Sequence, residues 1–313
     1  MRPVRGRELD RFWGHAMKHV GVFVAALLLA PVGLPAADYP YAPYRDGKMD
    51  PQVSGWPLTP EERAYVIDKP EHDRRPGRES LKHLPHLWPV IPAAGHWGGT
   101  AWLDTHAKLV EHVRARRGPL DILLVGDSIT QQWGSPLDTG AFNEAWQKHF
   151  ARYRTVNIGI GGDKTQNVLW RLDHGGVEGL EPRLIVLLIG NNNMFFTAET
   201  GIEAAARGVQ ACVERLRGTF PGAHVIVVKI LPCHAPGNRF HDDIGRTNAA
   251  LDPLLLDSDP QVTVLDLTAD FVGADGVLRE ALYTPDRIHL SPAGYAVYAA
   301  RLQPLVDARL DRK

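Results

Sequence analysis

The sequence predicts a three-layer α/β/α domain built on a five-stranded parallel sheet, and three observations carry that prediction. Short continuous apolar runs recur from residue 100 onward, as strands buried on both faces require. Stretches long enough for a helix separate them, and the best of these carry an apolar stripe at helical spacing. The last helix announces itself with its own cap.

The elements follow in order. Trp102, Leu109, Val110 and Val113 recur at helical spacing ahead of Ile122-Leu123-Leu124-Val125, which reads as a helix leading into a buried strand. Further strands are predicted at Val156 to Ile158, Leu184 to Ile189, His224 to Ile230 and Val262 to Leu265. Between the third and fourth, Ile202, Ala205, Ala206, Val209, Cys212, Val213 and Leu216 form a helical stripe, and Gly222 follows it. Ser291 is placed to cap the final helix and Pro292 suits its first turn. Tyr295, Ala299, Leu302 and Val306 share one face, and Pro304 is expected to kink the helix.

Composition narrows the function classes. A 313-residue chain with 44% hydrophobic and 23% charged residues is neither disordered, collagen-like nor a coiled coil. Thirty-five basic side chains against 36 acidic ones give a formal charge of −1, which argues against a nucleic-acid or anionic-membrane partner. Two cysteines exclude a disulfide scaffold and a four-cysteine zinc site.

The N-terminal region has a different character. The apolar run Gly21 to Leu34 is short for a bilayer span, follows Arg11 and Lys18, and precedes Pro35-Ala36-Ala37, a signal-peptide profile. Residues 1–37 are therefore expected to be removed on export to a secreted or periplasmic location, with Met17 a better-placed initiator than Met1 and no stable membrane span left afterwards. An uncleaved membrane anchor is the alternative. Residues 38–99 are rich in proline and hold Tyr41, Tyr44, Trp56, Trp88 and Trp97, so they read as an irregular extension packed on the following domain, residues 100–313. In an oxidising compartment Cys212 and Cys233 could bridge, but Cys212 lies on the apolar stripe of its helix, and a buried free thiol is the favoured reading.

In a parallel sheet with helices on both faces, ligands bind outside the carboxyl ends of the strands. The first strand ends in Gly126-Asp127-Ser128-Ile129-Thr130, which sets a serine at a tight strand-to-helix turn and makes Ser128 a nucleophile candidate. Alone, this tripeptide is equally a turn or a helix cap. The second strand runs into Asn157-Ile158-Gly159-Ile160-Gly161-Gly162-Asp163, whose glycines permit close approach of a ligand to backbone N–H groups. It matches neither a Walker loop nor a dinucleotide fingerprint. Gly190-Asn191-Asn192-Asn193 follows the third strand and offers side-chain amide donors. Near the C-terminus, Asp286-Arg287-Ile288-His289 brings a carboxylate within one turn of an imidazole that it can orient. Each block has an ordinary structural explanation; all four, at the same edge of the predicted sheet, point to one site.

Through these four blocks the chain resembles the SGNH hydrolases, the GDSL esterase/lipase superfamily. The glycine block continuing to Val168-Leu169-Trp170-Arg171-Leu172 is similar to the catalytic subunits of type Ib platelet-activating factor acetylhydrolase. The resemblance covers residues from about 100 to 310. It implies a flavodoxin-like fold and an ester hydrolase needing no cofactor or metal. Ser128 would be the nucleophile, His289 the base and Asp286 its orienting acid. Ser128 N–H, Gly162 N–H and the Asn192 amide would form the oxyanion hole. No G-x-S-x-G elbow is present, which separates the chain from the α/β-hydrolases.

The expected reaction is hydrolysis of a short acyl ester, acetyl first, through an acyl-serine, with a small-molecule or carbohydrate ester as substrate. Since the base works only when neutral, activity is expected to fall in acid. Asp127, Phe195 and Phe196 are read as substrate contacts, with plain packing the alternative for the phenylalanines. Trp133 and Trp170 are assigned to the core. His234, His241, Asp242 and Asp243, in the loop and helix entry after the fourth strand, are placed to meet substrate, but a solvated turn is the favoured reading, and His83 and His86 are not taken as a metal site. Two other functions compete on the same fold: a noncatalytic carbohydrate-binding protein, and an acyltransferase in which an alcohol displaces water.

Overall fold

The structure is a computed structural model; the residues described are 44–45, 48–49, 101–137, 140–173, 175–196, 202–255 and 259–311. The expected signal peptide, His83 and His86, and all of the extension but two short strands lie outside these. Those strands, Tyr44–Arg45 and Lys48–Met49, pair antiparallel.

From residue 101 the chain alternates. Helix α1 (Ala101–Arg114) leads to β1 (Gly118–Gly126), then α2 (Ser128–Gln131) and α3 (Glu144–Phe150). Next come β2 (Thr155–Asn157), α4 (Thr165–Asp173), β3 (Leu180–Leu188), a 3₁₀ turn over Asn191–Phe196 and α5 (Ile202–Thr219). β4 (His224–Val228), α6 (Arg239–Leu255), β5 (Val262–Leu265), α7 (Thr268–Phe271), a 3₁₀ turn over Glu280–Leu282 and α8 (Pro292–Leu310) complete the chain. All five strands are parallel, in the order β2-β1-β3-β4-β5. That is the flavodoxin-like order, whose switch point falls between β1 and β3.

Alternation along each strand builds the two faces. Leu123 and Val125 of β1, Ile185 and Leu187 of β3, and Val225 and Val227 of β4 pack in one core with Leu109, Val168, Val209, Leu216 and Leu251 from α1, α4, α5 and α6. Their neighbours Ile122, Leu124, Leu184, Val186, Ile226 and Val228 face the other core, with Ile129 of α2, Trp146 and Phe150 of α3, and Tyr298, Leu302 and Val306 of α8. Because both faces are dry, the strands read as unbroken apolar runs. Trp133 and Trp170 are buried, as expected.

Two strands are longer than their apolar runs. β3 begins at Leu180 and contains Pro182, which pairs with Leu120 of β1. A proline is tolerated there because β4 joins only from the Leu184–His224 pair onward, so at Pro182 β3 is still an edge strand. At the C-terminus, Ser291 Oγ accepts the Gly294 N–H at 3.2 Å, Pro292 opens α8, and the helix continues through Pro304 to Leu310. Cys212 and Cys233 are both buried and free. Among the described residues, no helix is long and apolar enough to cross a membrane.

Candidate active site

Strand β1 delivers Ser128 to the carboxyl edge of the sheet as the first residue of α2. At that position its N–H has no partner within the helix. The preceding Asp127 turns inward instead of toward the cleft. Its Oδ1 accepts the Ile129 N–H at 3.0 Å and caps α2, and the residue is 1% exposed. Burial pushes the Asp127 carboxyl up, the Ile129 N–H holds it down, and nearby Asp163 raises it again, to about 7. The expected substrate contact at Asp127 is thus corrected: a sealed carboxyl that caps a helix cannot meet a ligand.

The end of β2 is sewn to α2. Asn157 Nδ2 donates to Thr130 O at 2.8 Å and Gly134 O at 2.9 Å, while its Oδ1 accepts the Gly159 N–H at 2.9 Å. Gly159 permits this contact, since a Cβ there would lie 2.6 Å from Gln131 N. Gly162 follows with a φ of +80°, a conformation that favours glycine. Across the switch point, Asn192 Nδ2 donates to Asp163 O at 3.0 Å. Asn193 faces the other way, its Oδ1 accepting the Thr165 N–H at 3.1 Å and so fastening the start of α4.

His289 arrives from the loop before α8. Its Nε2 lies 2.8 Å from Ser128 Oγ, and its Nδ1 lies 2.6 Å from Asp286 Oδ2. A neutral ring protonated on Nδ1 donates to Asp286 and leaves Nε2 to accept the serine hydroxyl proton. Asp286 Oδ1 also accepts the Ile288 and His289 N–H groups, each at 2.9 Å, and the Thr284 hydroxyl at 2.8 Å. Burial works to raise the Asp286 carboxyl, but these hydrogen bonds, led by that from the His289 ring, hold it well below the usual carboxylate range. A hydroxyl, an imidazole and a carboxylate in one hydrogen-bonded chain are the parts of a base-assisted nucleophile.

Residues 124–297 match the GDSL-like lipase/acylhydrolase family. The chain belongs to this family. It is 32% identical over 218 residues to the alpha2 subunit of platelet-activating factor acetylhydrolase IB from Rattus norvegicus, covering 68% of this chain and 87% of that one. It is 30% identical over 210 residues to the alpha1 subunit from Pongo abelii, covering 67% and 84%. Among solved structures, a Streptococcus pneumonia protein superposes with a TM-score of 0.53 at 23% identity, over 65% of this chain and 92% of that one. A GDSL-like lipase from Bacteroides thetaiotaomicron gives 0.50 at 18% identity, over 65% and 97%. These likenesses bear out the three-layer fold, and family membership makes the protein an ester hydrolase.

In this GDSL acylhydrolase, the structure brings Ser128, Asp286 and His289 into one chain of contacts and sets Asn192 against the loop that carries Gly162. Phe195 belongs to the 3₁₀ turn with Phe196; their side chains lie outside the described ones. The expected solvated turn at 234–243 is corrected in part. His234 and His241 are half-buried, Asp242 is exposed, and Asp243 is buried because it is on the inward side of α6. Sequence reasoning missed Asn157 as a builder of the site, although the residue closes β2 directly before the glycine block.

Proposed function

We propose that the protein hydrolyses short-chain acyl esters, acetyl esters foremost, through an acyl-enzyme on Ser128. The observation that carries the reading is the Ser128 Oγ to His289 Nε2 contact at 2.8 Å, continued from Nδ1 to Asp286 at 2.6 Å. His289 Nε2 takes the hydroxyl proton as Oγ bonds to the ester carbonyl carbon. The carbonyl oxygen becomes an oxyanion, met by Ser128 N–H, Gly162 N–H and the Asn192 amide. The imidazolium, stabilised by the Asp286 carboxylate, gives its proton to the departing alcohol. Water then repeats the sequence in reverse: His289 takes its proton, hydroxide attacks the acyl carbon, and the acid leaves as the proton returns to Ser128 Oγ.

The acetyl preference is supported by the names of the relatives, which are acetylhydrolase subunits. An acetylated carbohydrate is the substrate that fits this activity together with the expected export. A panel of p-nitrophenyl esters from acetate to decanoate, run beside an acetylated xylooligosaccharide, tests both parts. The reading predicts the highest kcat/KM with acetate, a steady fall with chain length, and release of acetate from the sugar. A preference for long chains would overturn the acyl assignment, and an untouched sugar the carbohydrate one.

A further inference from the structure

One buried group beside the site takes no part in the acyl-transfer steps. Arg171, in the last turn of α4, has its side chain 1% exposed and pairs with Asp163, whose side chain is 0% exposed. Arg171 Nε and Nη2 reach Asp163 Oδ2 at 2.7 and 2.6 Å. The same guanidinium also donates from Nη1 to Ile158 O at 2.8 Å, and Nη2 lies 3.5 Å from Gly126 O. One side chain therefore grips the end of β1 two residues before Ser128, the exit of β2, and the residue directly after Gly162.

Asp163 passes that grip onward through its backbone. Its N–H donates to Ile160 O at 3.1 Å, closing the turn that holds Gly162 at positive φ. Its carbonyl accepts one hydrogen of the Asn192 amide. A carbonyl only accepts, so this contact fixes which end of the Asn192 side chain is the NH₂ and leaves the second hydrogen for another acceptor. Packing alone gives no reason for such a group, because a buried ion pair is often replaced by apolar residues of equal volume without loss of stability. A planar five-donor fork that reaches two strand ends and a carboxylate at once is a geometric device that lysine cannot copy.

We propose that Arg171 and Asp163 are positioning residues of the oxyanion hole, the buried pair setting Ser128 N–H, Gly162 N–H and the Asn192 amide relative to one another. This rests on the reading of Ser128 as nucleophile with those three donors. It predicts that breaking the pair weakens binding of the tetrahedral transition state while leaving ground-state ester binding nearly alone.

The test is a double-mutant cycle between Arg171→Lys and Asn192→Ala, with kcat expressed per serine labelled at completion by an organophosphonate. Arg171→Lys is expected to lower kcat at least tenfold with KM changed by less than about threefold, because the donors are displaced without being removed. Asn192→Ala introduced into Arg171→Lys is expected to cost several-fold less than in the unmodified enzyme, the sub-additivity of groups acting as one unit. Val306→Ala, in α8 and the other core, controls for lost stability and should leave kcat per labelled serine unchanged. If Arg171→Lys is not recovered folded, Asp163→Asn enters the same cycle. Additive losses, or an unchanged kcat per labelled serine, overturn the proposal. Ser128→Ala separates the two readings: if it stays active, the nucleophile assignment itself has failed, whatever Arg171 does.

Discussion

His234 and Arg287 hold one another in left-handed backbone conformations: φ is 58° at His234 and 57° at Arg287, and the His234 N–H donates to Arg287 O at 3.2 Å. Two further contacts fasten the same pair of loops. Tyr283 donates its hydroxyl proton to Pro232 O at 2.6 Å, and Ile288 packs against the cluster of Met194, Ile230, Cys233 and Ile244. The loop bearing Asp286 and His289 is thus anchored to the segment after β4.

A non-glycine residue in this conformation costs about 1–2 kcal/mol, which the anchoring must offset. Arg287→Gly relieves that strain and loses only an exposed ion pair with Glu280, worth about 0–1 kcal/mol. It is expected to keep activity, with Tm unchanged or raised. Arg287→Val adds a β-branched clash at positive φ, and should lose both stability and kcat. Thermal melts and initial rates on the two variants check this.

Asn192 is bonded to Asp163 O at 3.0 Å, and under the proposed mechanism its substitution removes one oxyanion donor. Asn192→Ala is expected to lower kcat by about 10²–10³ with KM little changed. Steady-state kinetics on p-nitrophenyl acetate measures both constants. A loss confined to KM would mean that the amide binds ground-state substrate only.

Asp286 has a side chain 46% exposed, so in Asp286→Ala water can accept from His289 Nδ1. His289→Ala leaves no base at all. Asp286→Ala is expected to lose up to about 10⁴ in kcat, and His289→Ala to lose more. The ratio of the two kcat values decides it.

The Asp127 carboxyl is pushed up to about 7 by burial, the effect of Asp163 adding to it. Between the ordinary carboxylate range and that value, the folded protein keeps a proton that the unfolded chain has released. Stability therefore falls as pH rises through this window. Asp127→Asn keeps an acceptor for the Ile129 N–H and has no charge to bury. Its Tm relative to the unmodified protein should be higher at pH 8 than at pH 5. An equal difference at both values would count against a buried neutral acid.

Much of this was legible in the sequence because the strands are buried on both sides. Unbroken runs such as Ile122 to Val125 are short for a helix and fit a strand covered on both faces. The strand ends were not: Pro182 looks like a terminator, and only the register shows that it sits where one neighbour is missing. Ser128, Asn192 and His289 were visible because each directly follows or closes on a strand edge. Asp127 was misplaced because the same Gly-Asp-Ser pattern allows the carboxyl to face the cleft or cap the helix, and a choice of rotamer decides. Arg171 was overlooked because its partner Asp163 lies eight residues back, beyond the reach of helical neighbours. The charges cancel inside a segment that otherwise reads as core.

Mass spectrometry of the enzyme quenched during turnover of p-nitrophenyl acetate shows which residue carries the acyl group. One acetyl group is expected on the peptide containing Ser128, formed with a burst of p-nitrophenol, with neither adduct nor burst in Ser128→Ala. Undiminished turnover in Ser128→Ala, or an acetyl group on another residue that forms and decays at the rate of turnover, would contradict it.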